Sequence, residues 1–235
     1  MRYMLTLCYL CLAFIYGCAE KKSEVAKVDE VKQIPITTES SEVKNLFELF
    51  LKKHEEYRYE ESRDLIKQIR QLDPSCILAQ TLDTWRSSAE RAEDLMLAIE
   101  RLDSISEIEA GIVEAHYFLA VERNFSAADE IIDKLIADFP SYYQLMLISA
   151  NHKGRLRNLE GMRIRYEEAK QINPKSFAAH FRQALMHFPA NTPNNSGIIN
   201  RTLEPGKIDL DQAERLLTTA QELNPDNPAP RLFMN

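Results

Sequence analysis

The chain has 235 residues, 36 Asp and Glu against 29 Lys and Arg, a formal charge of −7 and six glycines. Such a composition, with frequent Glu, Lys, Leu and Ala, describes a helix-rich globular protein able to bury a sizeable core. The acidic balance and the lack of a basic stripe argue against a nucleic-acid partner, and the chain carries no GxxxxGK-type or GxGxxG phosphate loop and no GxSxG nucleophile turn.

Residues 1–17 read as a signal peptide, with Arg2 as a minimal positive start and an apolar run over residues 3–16 that is short for a membrane span. The run closes with Ile15, Tyr16, Gly17 and Cys18, which resembles a bacterial lipobox, although Tyr16 stands where a small residue is usual. The resemblance implies cleavage before Cys18 and lipidation of its thiol; an ordinary secretory signal or an N-terminal membrane anchor is the alternative. On the lipobox reading the protein is lipid-anchored in the bacterial cell envelope and faces the periplasm, and Ala19 after the cysteine favours the outer membrane over the inner. More than one acyl chain is needed for stable anchoring, and lipidation of this type supplies it. Cys8 and Cys11 leave with the signal, so Cys76 remains alone and no disulfide framework is expected. At the start of an apolar helix, Cys76 reads as a buried structural thiol.

Residues 18–42, rich in charge, Ser and Thr, read as a flexible tether with a span of roughly 25–30 Å. From residue 43 on, apolar residues recur at helical spacing and set out pairs of helices. The first pair is 43–55 with 59–72, where Leu46, Phe47, Phe50 and Leu51 face Leu65, Ile66, Ile69 and Leu72. The second is 75–88 with 91–102, bringing Trp85 and its apolar neighbours against Leu95, Met96 and Ile99. The third is 105–123 with 126–138, with Ser126 as N-cap and Phe125 outside it as a hydrophobic staple. The fourth lies within 141–174, its second helix placing Met162, Tyr166, Ala169 and Ile172 on one face. The fifth begins at 176–188 and resumes at Asp209 after a loop inserted at 189–208, where three prolines, two glycines and an Asn/Thr cluster break the pattern. A short closing turn over the last helix is expected at 229–234.

The helix ends keep a beat. From Pro140 to Pro174 is 34 residues, from Pro74 to Pro140 is 66, and from Pro174 to Pro225 is 51, which correspond to one, two, and one plus an insertion of a repeat of about 34 residues. Before the last proline, Ala213, Leu217 and Ala220 occupy the motif positions of a repeat's second helix. On these residues the chain resembles tetratricopeptide repeat (TPR) proteins, with the other units degenerate: Ala128, Ile132 and Leu135; Met162, Tyr166 and Ala169; Ser62, Ile66 and Ile69. The resemblance implies an all-α domain over residues 43–235, a right-handed superhelical array of about five antiparallel helix pairs, an α-solenoid whose first helices line a concave surface. Carried over position by position, that surface falls on Ile77, Thr81 and Trp85; on Val113, Tyr117 and Val121; on Gln144, Leu147, Asn151 and Arg155; and on Phe181, Leu185 and Phe188. Trp85, Tyr117, Gln144, Asn151, Arg155, Phe181 and Phe188 form the candidate partner- or ligand-binding groove, with aromatic anchors, amides for an extended backbone and Arg for an acidic group. Core packing is the competing reading for several of them.

No motif marks an enzyme, and no cofactor or metal is expected. His180 and His187, two turns apart, read as packing or surface residues, and carboxylates such as Glu55, Glu56, Glu60 and Glu61 read as solvated helix faces. The expected function is a membrane-anchored periplasmic scaffold that holds a protein partner in an envelope complex. As an alternative, the layout of lipidated cysteine, tether and cryptic repeats is similar to the T-component lipoproteins of TRAP-type transporters. That resemblance implies a solute-transport accessory with a small ligand inside the array.

Overall fold

The computed structural model describes residues 31–83, 85–188 and 203–234. The described residues are helical without a strand: α1 (Ser41–Glu55), α2 (Tyr59–Leu72), α3 (Ile77–Leu82), α4 (Ser88–Ile99), α5 (Glu107–Ala120), α6 (Phe125–Asp138), α7 (Tyr143–Arg155), α8 (Leu159–Ile172), α9 (Phe177–Met186), α10 (Leu210–Leu223) and α11 (Arg231–Met234). Helices adjacent in sequence pack as pairs, α1 on α2, α3 on α4, α5 on α6, α7 on α8 and α9 on α10. None of them is long and apolar enough to cross a membrane.

The repeat is written in the backbone at both ends of the pairs. α2, α6, α8 and α10 are capped at Asp73, Phe139, Asn173 and Asn224, whose N–H groups still bond the carbonyls of Ile69, Leu135, Ala169 and Ala220. Proline follows each cap and forbids another helical turn. The chain then reverses through one backbone bond in each case: the N–H groups of Cys76, Tyr142, Ser176 and Asn227 donate to the four cap carbonyls at 3.2, 3.4, 3.0 and 3.1 Å. Inside the pairs, Tyr57, Arg123 and Arg157 adopt left-handed backbone with φ of 61°, 56° and 59°. Each lies two residues before a second helix, and they are spaced by the same 66 and 34 residues as the prolines.

Local side-chain chemistry moves three boundaries from where the pattern placed them. The helix expected at 75–88 ends at Leu82, because the Asp83 carboxylate turns back to accept from Arg70 at 2.7 Å and from the Trp85 N–H at 3.3 Å. α4 then starts at Ser88 rather than Arg91, through a reciprocal capping box between Ser87 and Glu90. In the third pair, Asn124 rather than Ser126 caps α6, accepting from the Ala127 N–H at 3.1 Å, just as Asn158 caps α8 from Gly161 at 2.9 Å. The left-handed residue before each Asn fixes the cap.

The apolar stripes meet between helices. Phe47, Phe50, Ile66, Ile69, Ile112, Ile132, Leu145 and Tyr166 are all but fully buried, and a second cluster joins Phe177, Phe181 and Leu185 of α9 to Leu216, Leu217 and Ala220 of α10. Each large side chain so buried contributes roughly 1.5–3 kcal/mol. α5 and α6 approach closely at Gly111, where an added Cβ would lie 2.7 Å from the Leu135 side chain. Leu72 and Met96, expected inside, are 50% and 48% exposed, because they fall at the outer edges of the second helices. Cys76 is buried as expected, and burial pushes its thiol up to about 12.

The end of the expected tether is not loose. Residues 31–40 lie against the helices without regular secondary structure, with Ile34 5% exposed in the core. The Thr37 N–H donates to Glu109 Oε1 at 2.7 Å, its hydroxyl donates to Oε2 of the same carboxylate, and Thr38 Oγ1 donates to Asp73 at 2.6 Å. Glu109 closes a capping box with Ser106 at the start of α5, so one buried carboxylate both caps a helix and holds the segment. The boundary placed at residue 42 by composition therefore moves back to about residue 31 at the latest. Residues 1–30, with the signal and Cys18, and residues 189–202 of the inserted loop lie outside the described residues. Its end is seated: Leu203 is 5% exposed and its N–H donates to the Met186 carbonyl at 2.9 Å.

Left-handed backbone costs a non-glycine residue about 1–2 kcal/mol. Arg157 is exposed. Arg157→Gly should raise the free energy of unfolding by up to about 1 kcal/mol, and Arg157→Val should lower it by about as much, measured by urea denaturation.

Candidate functional site

The turn between α1 and α2 reaches across to the fourth and fifth pairs. Tyr57 projects from this turn, its backbone held left-handed, and its ring meets Phe181 edge-on at 5.1 Å and Phe177 at 6.2 Å between centroids. Phe177 and Phe181 stack on each other at 5.5 Å along α9. The Arg182 guanidinium donates through Nε to the Tyr57 hydroxyl and through Nη1 to Asn151 Oδ1 of α7. Its central carbon lies 5.1 Å from the Tyr57 ring centroid. On the other side of the turn, Tyr143 of α7 donates its hydroxyl to both Glu55 oxygens, at 2.9 and 3.0 Å. Further along, Arg58 donates to Asn224 at 3.4 Å, and Asn227 donates to the Glu56 carbonyl.

Ring contacts continue outward from the turn. His54 lies edge-on to Tyr59 at 5.7 Å and to Trp85 at 6.0 Å, Tyr59 meets Tyr57 at 5.5 Å, and Phe233 of α11 joins Phe181 to Phe188. The aromatic surface therefore runs from Trp85 in the second pair to the C-terminal helix, with the Arg182 guanidinium set into it.

Burial sets the protonation of this region. It pushes His54 down to about 4, with the Arg182 charge acting the same way, so the ring is neutral at physiological pH. The Tyr57 hydroxyl is pushed up, chiefly by burial, and stays protonated. Glu55 is raised to about 7 by burial, with the Tyr143 hydrogen bond opposing and Glu56 adding to the shift. The sequence pattern put Glu55 on a solvated face; the structure places it under Tyr143, whose hydroxyl donates to both of its oxygens.

The seven candidate groove residues separate. Trp85 is half-buried at the His54 edge, and Asn151 is half-buried under Arg182. Arg155 is exposed one turn beyond Asn151, and its charge bears on Arg91, on the half-buried His116 and on the buried His152. Phe181 is 2% exposed, so it backs the site as core. Phe188 is half-buried against Phe233. Gln144 is 4% exposed and donates to Gln33 Oε1 at 2.6 Å, so the extended amide partner expected for it is the protein's own N-terminal segment. Tyr117 makes its contacts locally, with Phe118 and with Glu122 at 2.8 Å. The turn thus collects Trp85, Asn151 and Phe181, with Arg155 adjacent, and the described contacts do not bring Tyr117 to it.

Tyr57, His54, Tyr59 and Arg182 were missed by sequence reasoning. One signal was present: Arg182 is the only Lys, Arg, Asp or Glu in α9, FAAHFRQALM. His180 and His187 do not converge, since His180 contacts the Pro174 carbonyl at 3.0 Å and His187 accepts from the Asp209 N–H at 3.2 Å. Among the described residues no three His, Cys, Asp or Glu side chains gather as a metal site would need. No family model matches the chain. A search of curated proteins likewise finds no match.

Glu55 yields a signed pH dependence. Its carboxyl holds a proton in the folded protein at pH values where the unfolded chain has released it, so it stabilises the fold below about 4.5 and this contribution is lost as pH rises through about 7. Glu55→Gln should therefore gain about 1–3 kcal/mol relative to the unaltered protein between pH 5 and pH 8, as followed by urea denaturation at a series of pH values.

Proposed function

We propose that the protein is a membrane-anchored periplasmic TPR-like lipoprotein whose helix pairs form a right-handed superhelical array, and that it acts as a binding scaffold in an envelope complex. The observation that carries the binding role is the meeting of Trp85, Asn151 and Arg182 with the aromatic turn at Tyr57, with the exposed Arg155 one helical turn beyond Asn151. Half-buried aromatic rings beside hydrogen-bonded Arg and Asn make the kind of surface that supplies most of the binding energy in protein interfaces. The matching turns at 66 and 34 residues support the array, and the lipobox-like residues ending in Cys18 support the anchor.

A solute-transport accessory is the second reading, and one observation favours it. Gln33 already sits on Gln144, and Tyr57 already sits on Phe181. A face so occupied by its own chain suits a compact ligand better than a long extended peptide.

Two experiments in the native envelope test these proposals. Cys18→Ser should move the protein from the membrane fraction to the soluble fraction. A photo-crosslinking residue placed at Trp85 or Arg155 should give a discrete protein adduct, while one at the exposed Leu97 of α4 should not. Equal adducts at all three positions would contradict the groove assignment. A small molecule retained without any protein adduct would favour the transport reading.

A further inference from the structure

We infer that Arg182 anchors a carboxylate-binding site on the groove, with Tyr57 and Asn151 holding its guanidinium in place and the surrounding aromatic rings receiving the apolar body of the ligand. This deepens the binding role proposed above and rests on it.

Arginine carries five N–H donors and is always ionised. Tyr57 and Asn151 accept from two of the Arg182 donors and bring no charge. Tyr166 is a further hydrogen-bond partner of Arg182, and it too is an uncharged phenol. Among the described residues no carboxylate pairs with Arg182, whereas Arg70, Arg86, Arg163 and Arg165 pair with Asp83, Asp94, Glu160 and Asp133. Acidic residues are in excess over basic ones in this chain, so scarcity is not the reason. A half-buried cation without a counter-ion is costly to keep. A carboxylate arriving from outside would relieve that cost through charge-assisted, potentially bidentate hydrogen bonds.

Geometry supports the same ligand. Hydrogen bonds to Tyr57, Asn151 and Tyr166 and the Tyr57 ring hold the guanidinium plane, so little ordering is left for the ligand to impose. Tyr57 is backed by Phe177 and Phe181, and neutral His54 leads on to Trp85, which gives apolar ring surface beside the charge. Arg155 is exposed one turn beyond Asn151 on the same face of α7. The ligand class is therefore a monocarboxylate with an aromatic or aliphatic body, either a free organic acid or the C-terminal residue of a peptide.

The test uses the full chain purified in detergent. Its single tryptophan, Trp85, provides a fluorescence signal beside the site, with calorimetry as the second readout. The probes are 4-phenylbutyrate and a pentapeptide ending in phenylalanine, each compared with its amide. At least one acid should bind saturably at one site, its amide should bind about tenfold more weakly or worse, and Arg182→Met should lose about as much. The acid that binds identifies the source of the carboxylate. The inference is overturned if neither acid binds saturably, if the amides bind as well as the acids, or if Arg182→Met binds as the unaltered protein does. Should Arg182→Met fail to fold, the acid and amide comparison still decides. Failure here with site-specific adducts at Trp85 or Arg155 would remove the carboxylate role and leave the scaffold. Carboxylate binding without adducts would do the reverse.

Discussion

The seating of one turn organises the molecule. Tyr57 adopts a backbone conformation that costs a non-glycine residue about 1–2 kcal/mol, and in doing so delivers its ring to Phe177, Phe181 and Arg182. The same left-handed turn occurs at Arg123 and Arg157, where the side chain is an arginine. One structural device thus serves two ends: in the third and fourth pairs it reverses the chain, and in the first it also ties the first pair to the fifth. Aromatic contacts are worth about 0.5–1.5 kcal/mol each beyond their area, so several of them around Tyr57 offset the backbone strain.

Contacts that span the chain reinforce this tie. Tyr143 on Glu55, Gln144 on Gln33, Arg58 on Asn224 and Asn227 on the Glu56 carbonyl all join the N-terminal residues to the fourth or fifth pair. Most of these are polar bonds that give net stabilisation of about 1 kcal/mol each. They set where the first pair sits, while the apolar stripes between neighbouring helices supply the bulk of the stability. The surface left beside them is small, aromatic and positively charged within an acidic protein. That combination shapes its chemistry.

The helix pairs were legible because helical periodicity and chain-stopping prolines are local properties. The boundaries of α2 match the pattern, and the spacing of Pro74, Pro140 and Pro174 reappears in the spacing of Tyr57, Arg123 and Arg157. Departures came where a side chain competed with the backbone, as Asp83 did in ending α3 and Asn124 in starting α6. The docked segment at 31–40 was not legible, because a charged, Thr-rich composition does not reveal that Glu109, 72 residues beyond Thr37, waits to accept its N–H. The site was legible in part. The repeat register picked out Trp85, Asn151 and Arg155, but no register assigns a role to a turn residue such as Tyr57, or to Arg182 beside the expected Phe181. Their meeting depends on how the first pair lies against the fifth, which no local pattern encodes.

The first turn is fastened to α9 through Tyr57 and Arg182. A double-mutant cycle of Tyr57→Phe and Arg182→Met, read by urea denaturation at neutral pH, tests it most directly. A coupling of about 1.5–3 kcal/mol is expected, the range for a hydrogen bond to a charged group. Changes that add to within about 0.3 kcal/mol would show that the Tyr57 hydroxyl and the guanidinium do not interact, and the hydrogen-bonded fastening would be wrong.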